Sequence, residues 1–102
     1  MNYEIEFTRS ANEDLENAFS WYENERVGLG WEFRNEVALC IEKITNDKIR
    51  YQIYYADIHK IFITRFPYLL YFKKYEPEKK IVIGAVLHEK RNSDTIKQHL
   101  GL

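Results

Sequence analysis

Six side chains in the C-terminal half of the sequence have types suited to chemistry: His59, Lys60, Arg65, His88, Lys90 and Arg91, interleaved with Tyr68, Tyr71 and Tyr75. Cations neutralise phosphates, tyrosine rings stack on bases, and an imidazole exchanges a proton near pH 7. A metal-free ribonuclease needs those types: a base for the 2′-hydroxyl proton, cations for the charge that builds on the in-line phosphorane, and an acid for the leaving oxygen. His88 is the candidate for moving the proton, with Arg65 and Arg91 holding the phosphate. A plainer explanation competes with it, because charged residues at strand ends usually form a solvated rim and tyrosines in sheets usually pack.

Other chemistries lack their residues. There is no Gly-rich phosphate loop, no Gly-x-Ser-x-Gly elbow and no His-Glu-x-x-His, and four scattered glycines cannot build a nucleotide cradle. His59, His88 and His99 are too widely spaced to read as a ligand set, so neither a metal nor a cofactor is expected. The one cysteine, Cys40, cannot form an intramolecular disulfide and reads as a small buried hydrophobe on a helix. The N-terminus has no basic region followed by an apolar stretch, and no run approaches the roughly 18 apolar residues of a membrane span. The expectation is a cytoplasmic protein with no membrane partner.

The elements that must position these residues follow from charge and periodicity. The formal charge of the 102 residues is −1, but residues 1–47 carry four basic groups against eleven acidic ones, and residues 48–102 carry eleven against five. An acidic half (−7) is thus joined to a basic half (+6) that holds every candidate named above. In the acidic half, Tyr3, Ile5 and Phe7 alternate as in a half-buried strand. Ser10-Ala11-Asn12-Glu13 fits a capping box, followed by a stripe of Ala11, Leu15, Ala18, Phe19 and Tyr22 that predicts a helix to about Glu25. Gly28 and Gly30 allow a reversal, and Phe33, Val37, Cys40, Ile41 and Ile44 predict a second helix ending near Asn46-Asp47. The two read as an antiparallel helical hairpin.

From Ile49 the period becomes extended. Strands are predicted over Ile49–Tyr55, His59–Phe66, Tyr68–Tyr75 and Ile81–Leu87, with turns at Ala56-Asp57 and Pro77–Lys80. The last strand is apolar on both faces, with Ile81, Ile83, Ala85 and Leu87 on one and Val82, Gly84 and Val86 on the other, so it should be central. Alternation places His88 with Val82 and Val86, a face that the C-terminal segment or a partner chain must cover. Ser93 or Asp94 could cap a short helix through Leu100. The expected fold is a single α+β domain over residues 1–102: an antiparallel sheet, formed by the N-terminal strand and the C-terminal meander, with the helical hairpin on one face.

These segments resemble a known family. Ile61 to Phe72, with its Phe66-Pro67-Tyr68 block, followed by the apolar strand into His88-Glu89-Lys90-Arg91, looks like the C-terminal half of ParE-type toxins of the RelE/ParE superfamily. The N-terminal half is similar too, through Ala11-Asn12-Glu13-Asp14-Leu15 against that family's Ala-x-x-Asp-Leu helix start, then Trp21-Tyr22, and Gly30 with Phe33 in the second helix. The resemblance implies the toxin of a type II toxin–antitoxin (plasmid stabilisation) system, held inactive by a cognate antitoxin. In a ParE-like toxin the target would be DNA gyrase, engaged without catalysis, here through Lys60, Arg65, Lys90 and Arg91. In a RelE-like toxin it would be mRNA on the ribosome, cleaved with His88, Arg65 and Arg91. His59-Lys60 stands where ParE-like chains usually carry Arg-Arg, and Arg91-Asn92-Ser93 where their tail often reads Arg-x-Pro. The absence of any tyrosine after Tyr75 favours the ParE-like branch.

Overall fold

The computed structural model describes residues 3–46 and 51–102. In chain order the elements are β1 (Glu4–Phe7), α1 (Arg9–Glu25), α2 (Leu29–Thr45), β2 (Gln52–Tyr55), β3 (Ile58–Phe62), β4 (Tyr68–Tyr75), β5 (Lys80–His88) and α3 (Ser93–Leu100). The predicted strand start at Ile49 and helix end at Asp47 lie outside the described residues. None of the described helices is long and apolar enough to cross a membrane.

Helix α1 begins earlier than the capping box predicts. The cap is Thr8, whose Oγ1 accepts from the Ala11 amide at 3.1 Å. The reason lies in the sheet: the Thr8 amide donates to the Ile83 carbonyl at 2.9 Å and its hydroxyl to the Gly84 carbonyl at 3.3 Å, so the chain turns into the helix directly from the last rung of β1. At the hairpin loop, Gly28 sits at φ +93° and the Glu23 carboxylate accepts from the amides of Gly28 and Gly30, both at 2.9 Å. A carboxylate on these otherwise unpaired donors caps α2 and opposes its positive end. Gly30 is required by close approach, since a Cβ there would lie 2.6 Å from the Phe19 carbonyl oxygen.

The sheet order is β1-β5-β4-β3-β2, which makes β5 central as expected. The meander β2 to β5 is antiparallel, while β1 pairs parallel with β5, Phe7 opposite Ile83. The connection between these parallel neighbours is long, as such a pair requires: the helical hairpin carries the chain from β1 to β2 at the far edge, and the meander brings it back to β5. Strand β3 is shorter than predicted and stops at Phe62, because the chain turns before Pro67 with Arg65 at φ +73°.

One irregularity re-aims the end of β5. Tyr71 pairs with Ala85 but Phe72 pairs with Ile83, leaving Gly84 as an extra residue on β5. Such a bulge shifts the alternation by one residue. Ile81 and Ile83 face the helical hairpin before it, and Val86 does so after it; Ala85 and Leu87 face the opposite side. The predicted division of β5 into two constant faces therefore holds only up to Gly84, and Val86 and His88 lie on the hairpin side. The other face is covered by the chain itself: Ile96 of α3, with Leu100 beside it, packs on Ile58, Leu69, Tyr71, Ala85 and Leu87. A Cβ on Gly84 would sit 2.9 Å from Leu100 Cδ2, so the bulge glycine also makes room for α3.

Candidate functional site

The bulge brings the end of β5 against α1 and opens a cleft of about 200 Å³ between them. Helix α1 lines it with Asp14, Asn17, Ala18 and Trp21, spaced so that they share one stripe, and the sheet contributes Tyr68, Val86 and His88, with Arg91 from the turn that follows. Trp21 is 61% exposed at its mouth.

Asp14, only 8% exposed, is the one buried charged residue among those described. Its Oδ2 accepts from the Val86 amide at 3.0 Å, and its Oδ1 lies 2.9 Å from His99 Nε2. Backbone geometry explains the first contact. β1 ends opposite Ile83, so beyond it the outer edge of β5 has no strand beside it, and Asp14 satisfies an amide that would otherwise be buried unpaired. Burial raises the Asp14 carboxyl above the usual carboxylate range, against the lowering effects of the Val86 hydrogen bond, His99 and Arg91.

Tyr68 stands edge-on to the His88 ring, centroids 5.3 Å apart. Burial raises its phenol, while the charge of Arg91 pulls the other way. His88 Nδ1 accepts from the Lys90 amide at 3.1 Å. With Nδ1 used as an acceptor, the neutral ring carries its proton on Nε2, so the nitrogen left for a ligand is a donor rather than a base.

Of the residues singled out from sequence, the structure brings His88 and Arg91 to this cleft, with Lys90 exposed on the turn between them. Arg65 is engaged elsewhere. Its guanidinium donates to Glu32 Oε1 at 2.7 Å and Glu36 Oε2 at 3.3 Å, both on α2. Lys60 lies on the opposite face of the sheet, its ammonium 5.5 Å from the centre of the Tyr54 ring, and it pairs with Tyr71, which pairs with Ala85, three residues before His88. His59 is wedged between Tyr51 and Phe72. Burial, then the charge of Lys74, lowers its pKa, and its Nδ1 has no hydrogen-bond partner among the described residues. Among the described residues no group of three or more His, Cys, Asp or Glu side chains could hold a metal ion.

The sequence reading missed Asp14, Asn17, Trp21 and His99. A signal for Asp14 was present, since it interrupts the apolar stripe between Ala11 and Ala18 where a solvent-facing acid has no place.

The family described as ParE toxin of type II toxin–antitoxin system, parDE, matches residues 5–93. The chain belongs to the ParE toxin family. Among solved structures the fold is similar to a chain of the chromosomal ParDE toxin–antitoxin system from P. aeruginosa, with a TM-score of 0.70 over 84% of this chain and 95% of that one, at 13% identity. At that identity the likeness is one of fold. No curated protein sequence matches. The ParE match takes in every residue that lines the cleft, and it ends at Ser93, the first residue of α3, short of His99.

Proposed function

We propose that this ParE-family chain is a growth-inhibiting cytoplasmic toxin that acts by binding DNA gyrase and is neutralised by a cognate antitoxin. The observation that carries the reading is the dispersal of its cations. A phosphoryl-transfer site needs its charges converged on one phosphate. Here Arg91 and His88 share a cleft, Arg65 is paired with two carboxylates of α2, and Lys60 is on the other face of the sheet. Such a distribution suits a protein surface contacted at several points. Lys90 and Arg91 form its centre; Lys60 and Arg65 are outlying contacts, Arg65 only where the target displaces Glu32 and Glu36.

An antitoxin is expected to cover what the fold leaves open. Trp21 and Trp31 on the hairpin and Ile53, Tyr55 and Phe62 on β2 and β3 are large, apolar and more than half exposed, and β2 is an edge strand.

The test is supercoiling by purified gyrase with the purified chain added. Inhibition that weakens in a Lys90→Ala/Arg91→Ala variant supports the reading. The second reading, a ribosome-dependent mRNA endonuclease, draws on His88, Arg91 and Tyr68 facing one cleft. Cleavage of mRNA in a translating extract with gyrase unaffected would establish it in place of the first, and His88→Ala should then cost on the order of 10²–10⁴ in rate.

A further inference from the structure

The Asp14–His99 contact fixes a proton count. His99 Nδ1 lies 3.1 Å from the Thr95 carbonyl oxygen, which can only accept, so Nδ1 carries a hydrogen. Nε2 lies 2.9 Å from Asp14 Oδ1. A neutral imidazole with its hydrogen on Nδ1 would present a bare lone pair to a carboxylate, and moving the hydrogen to Nε2 would leave Nδ1 bare toward the carbonyl. Both contacts are attractive together only if the pair holds one further proton, as imidazolium and carboxylate or as imidazole and carboxylic acid.

What that proton holds in place is α3. The helix has eight residues, too few for stability in isolation, and its apolar anchorage is Ile96 and Leu100. His99 reaches α1, where its ring meets Asp14. The titratable groups around the pair come from every neighbouring element: Arg91, His88 and Tyr68 share the cleft with Asp14, and Lys73 and Tyr75 of β4 share a second cavity with His99 and Leu100 on the far side of β5. We infer that Asp14 and His99 form a proton-dependent latch that docks the C-terminal helix on the β5 edge and loosens it as pH rises through the neutral range. The inference is independent of which target the toxin meets.

The sign follows from linkage. A docked state that holds one more proton than the undocked one is favoured in acid. Its advantage falls by up to about tenfold per pH unit above the ordinary imidazole value near 6.5.

The experiment is amide hydrogen exchange on the full chain at several pH values, corrected for intrinsic rates, read at Ile96, Gly101 and Leu102. The amides of these residues close α3 and its C-terminal turn. The opening equilibrium of these amides should rise by about tenfold or more between pH 6.5 and 8. It should lose that dependence in His99→Gln and in Asp14→Asn, each of which supplies neutral hydrogen-bonding groups at the contact. Opening that is flat with pH in the wild-type chain, or equally steep in His99→Gln, overturns the latch. Nitrogen NMR of the wild-type His99 ring gives a reading that needs no variant. Two protonated ring nitrogens near pH 7, or a carboxylic acid signal from Asp14, support the latch; one bare nitrogen beside an ionised Asp14 refutes it.

Discussion

The two faces of the sheet are closed by different physics. On the hairpin side, fourteen buried residues among those described, from α1, α2, the strands and the turn between β3 and β4, make one cluster, with Phe33, Ile44, Phe72, Ile81 and Ile83 almost wholly removed from water. On the α3 side the cluster has six buried residues among those described, and of these Ile96 belongs to the covering helix. Apolar burial stabilises in proportion to area, so the first face should open only with global unfolding and the second by a local event of lower free energy. The polar contacts divide in the same way. The hairpin side has exposed pairs such as Arg65 with Glu32 and Glu36, whereas α3 meets α1 through the part-buried Asp14–His99 contact.

The most severe challenge to this contrast is truncation of each cover at its centre. Phe33 has no exposed surface and meets the rings of Tyr22, Phe66 and Tyr68 at centroid distances of 5.4, 5.2 and 5.1 Å. Phe33→Ala should cost about 3–5 kcal/mol in urea denaturation, in line with large aromatic deletions in packed cores. Ile96→Ala on the other face should cost about 2 kcal/mol or less. That is the lower end for such deletions, because α3 can detach before the rest unfolds. Its larger effect should be faster local exchange of the α3 amides. Equal losses of global stability from the two variants would mean that the faces form one cooperative unit.

Cys40 offers a readout of the hairpin side alone. It is buried in the main cluster, and burial pushes its thiol up to about 11, so at pH 8 only about a thousandth of the folded chain carries the thiolate. Alkylation of Cys40, corrected for the pH dependence of a free thiol, should therefore follow global unfolding and should not accelerate at pH values where the α3 amides begin to exchange. Labelling that tracks α3 opening would erase the distinction between the faces.

Much of this organisation was legible in residue order, and the failures share a cause. Helix stripes, the hairpin loop, β4 and the central place of β5 follow from local periodicity, and the ParE family signature lies in the same segments. The bulge was not legible. Gly84 looks like one more position in an alternating run, and only the pairing of Tyr71 with Ala85 beside Phe72 with Ile83 reveals the extra residue. Its consequence, the placement of Val86 and His88 toward α1, is a tertiary fact. The same holds for Asp14. Its burial makes sense only once β1 is seen to end at Phe7 and to leave the Val86 amide without a strand partner. For the candidate cations, type was readable and destination was not: Arg65 and His88 are near in sequence pattern, but the first is drawn to carboxylates on α2, a helix far away in the chain.

Arg65 also provides the smallest effect and the sharpest separation of stability from function. Its side chain is 52% exposed and its ion pairs lie in water, where gain is small and salt screens it. Its backbone sits at φ +73°, which glycine adopts without a steric penalty. Arg65→Gly should therefore leave the melting temperature unchanged or raise it, because relief of the backbone compensates for the lost pairs. Arg65→Ala, which keeps the strain and loses the pairs, should melt slightly lower than Arg65→Gly. If Arg65 is also a target contact, the two variants should lose toxicity to the same extent despite this order of stability. A loss of toxicity that follows melting temperature would instead assign Arg65 to the scaffold and leave Lys90 and Arg91 as the functional cations.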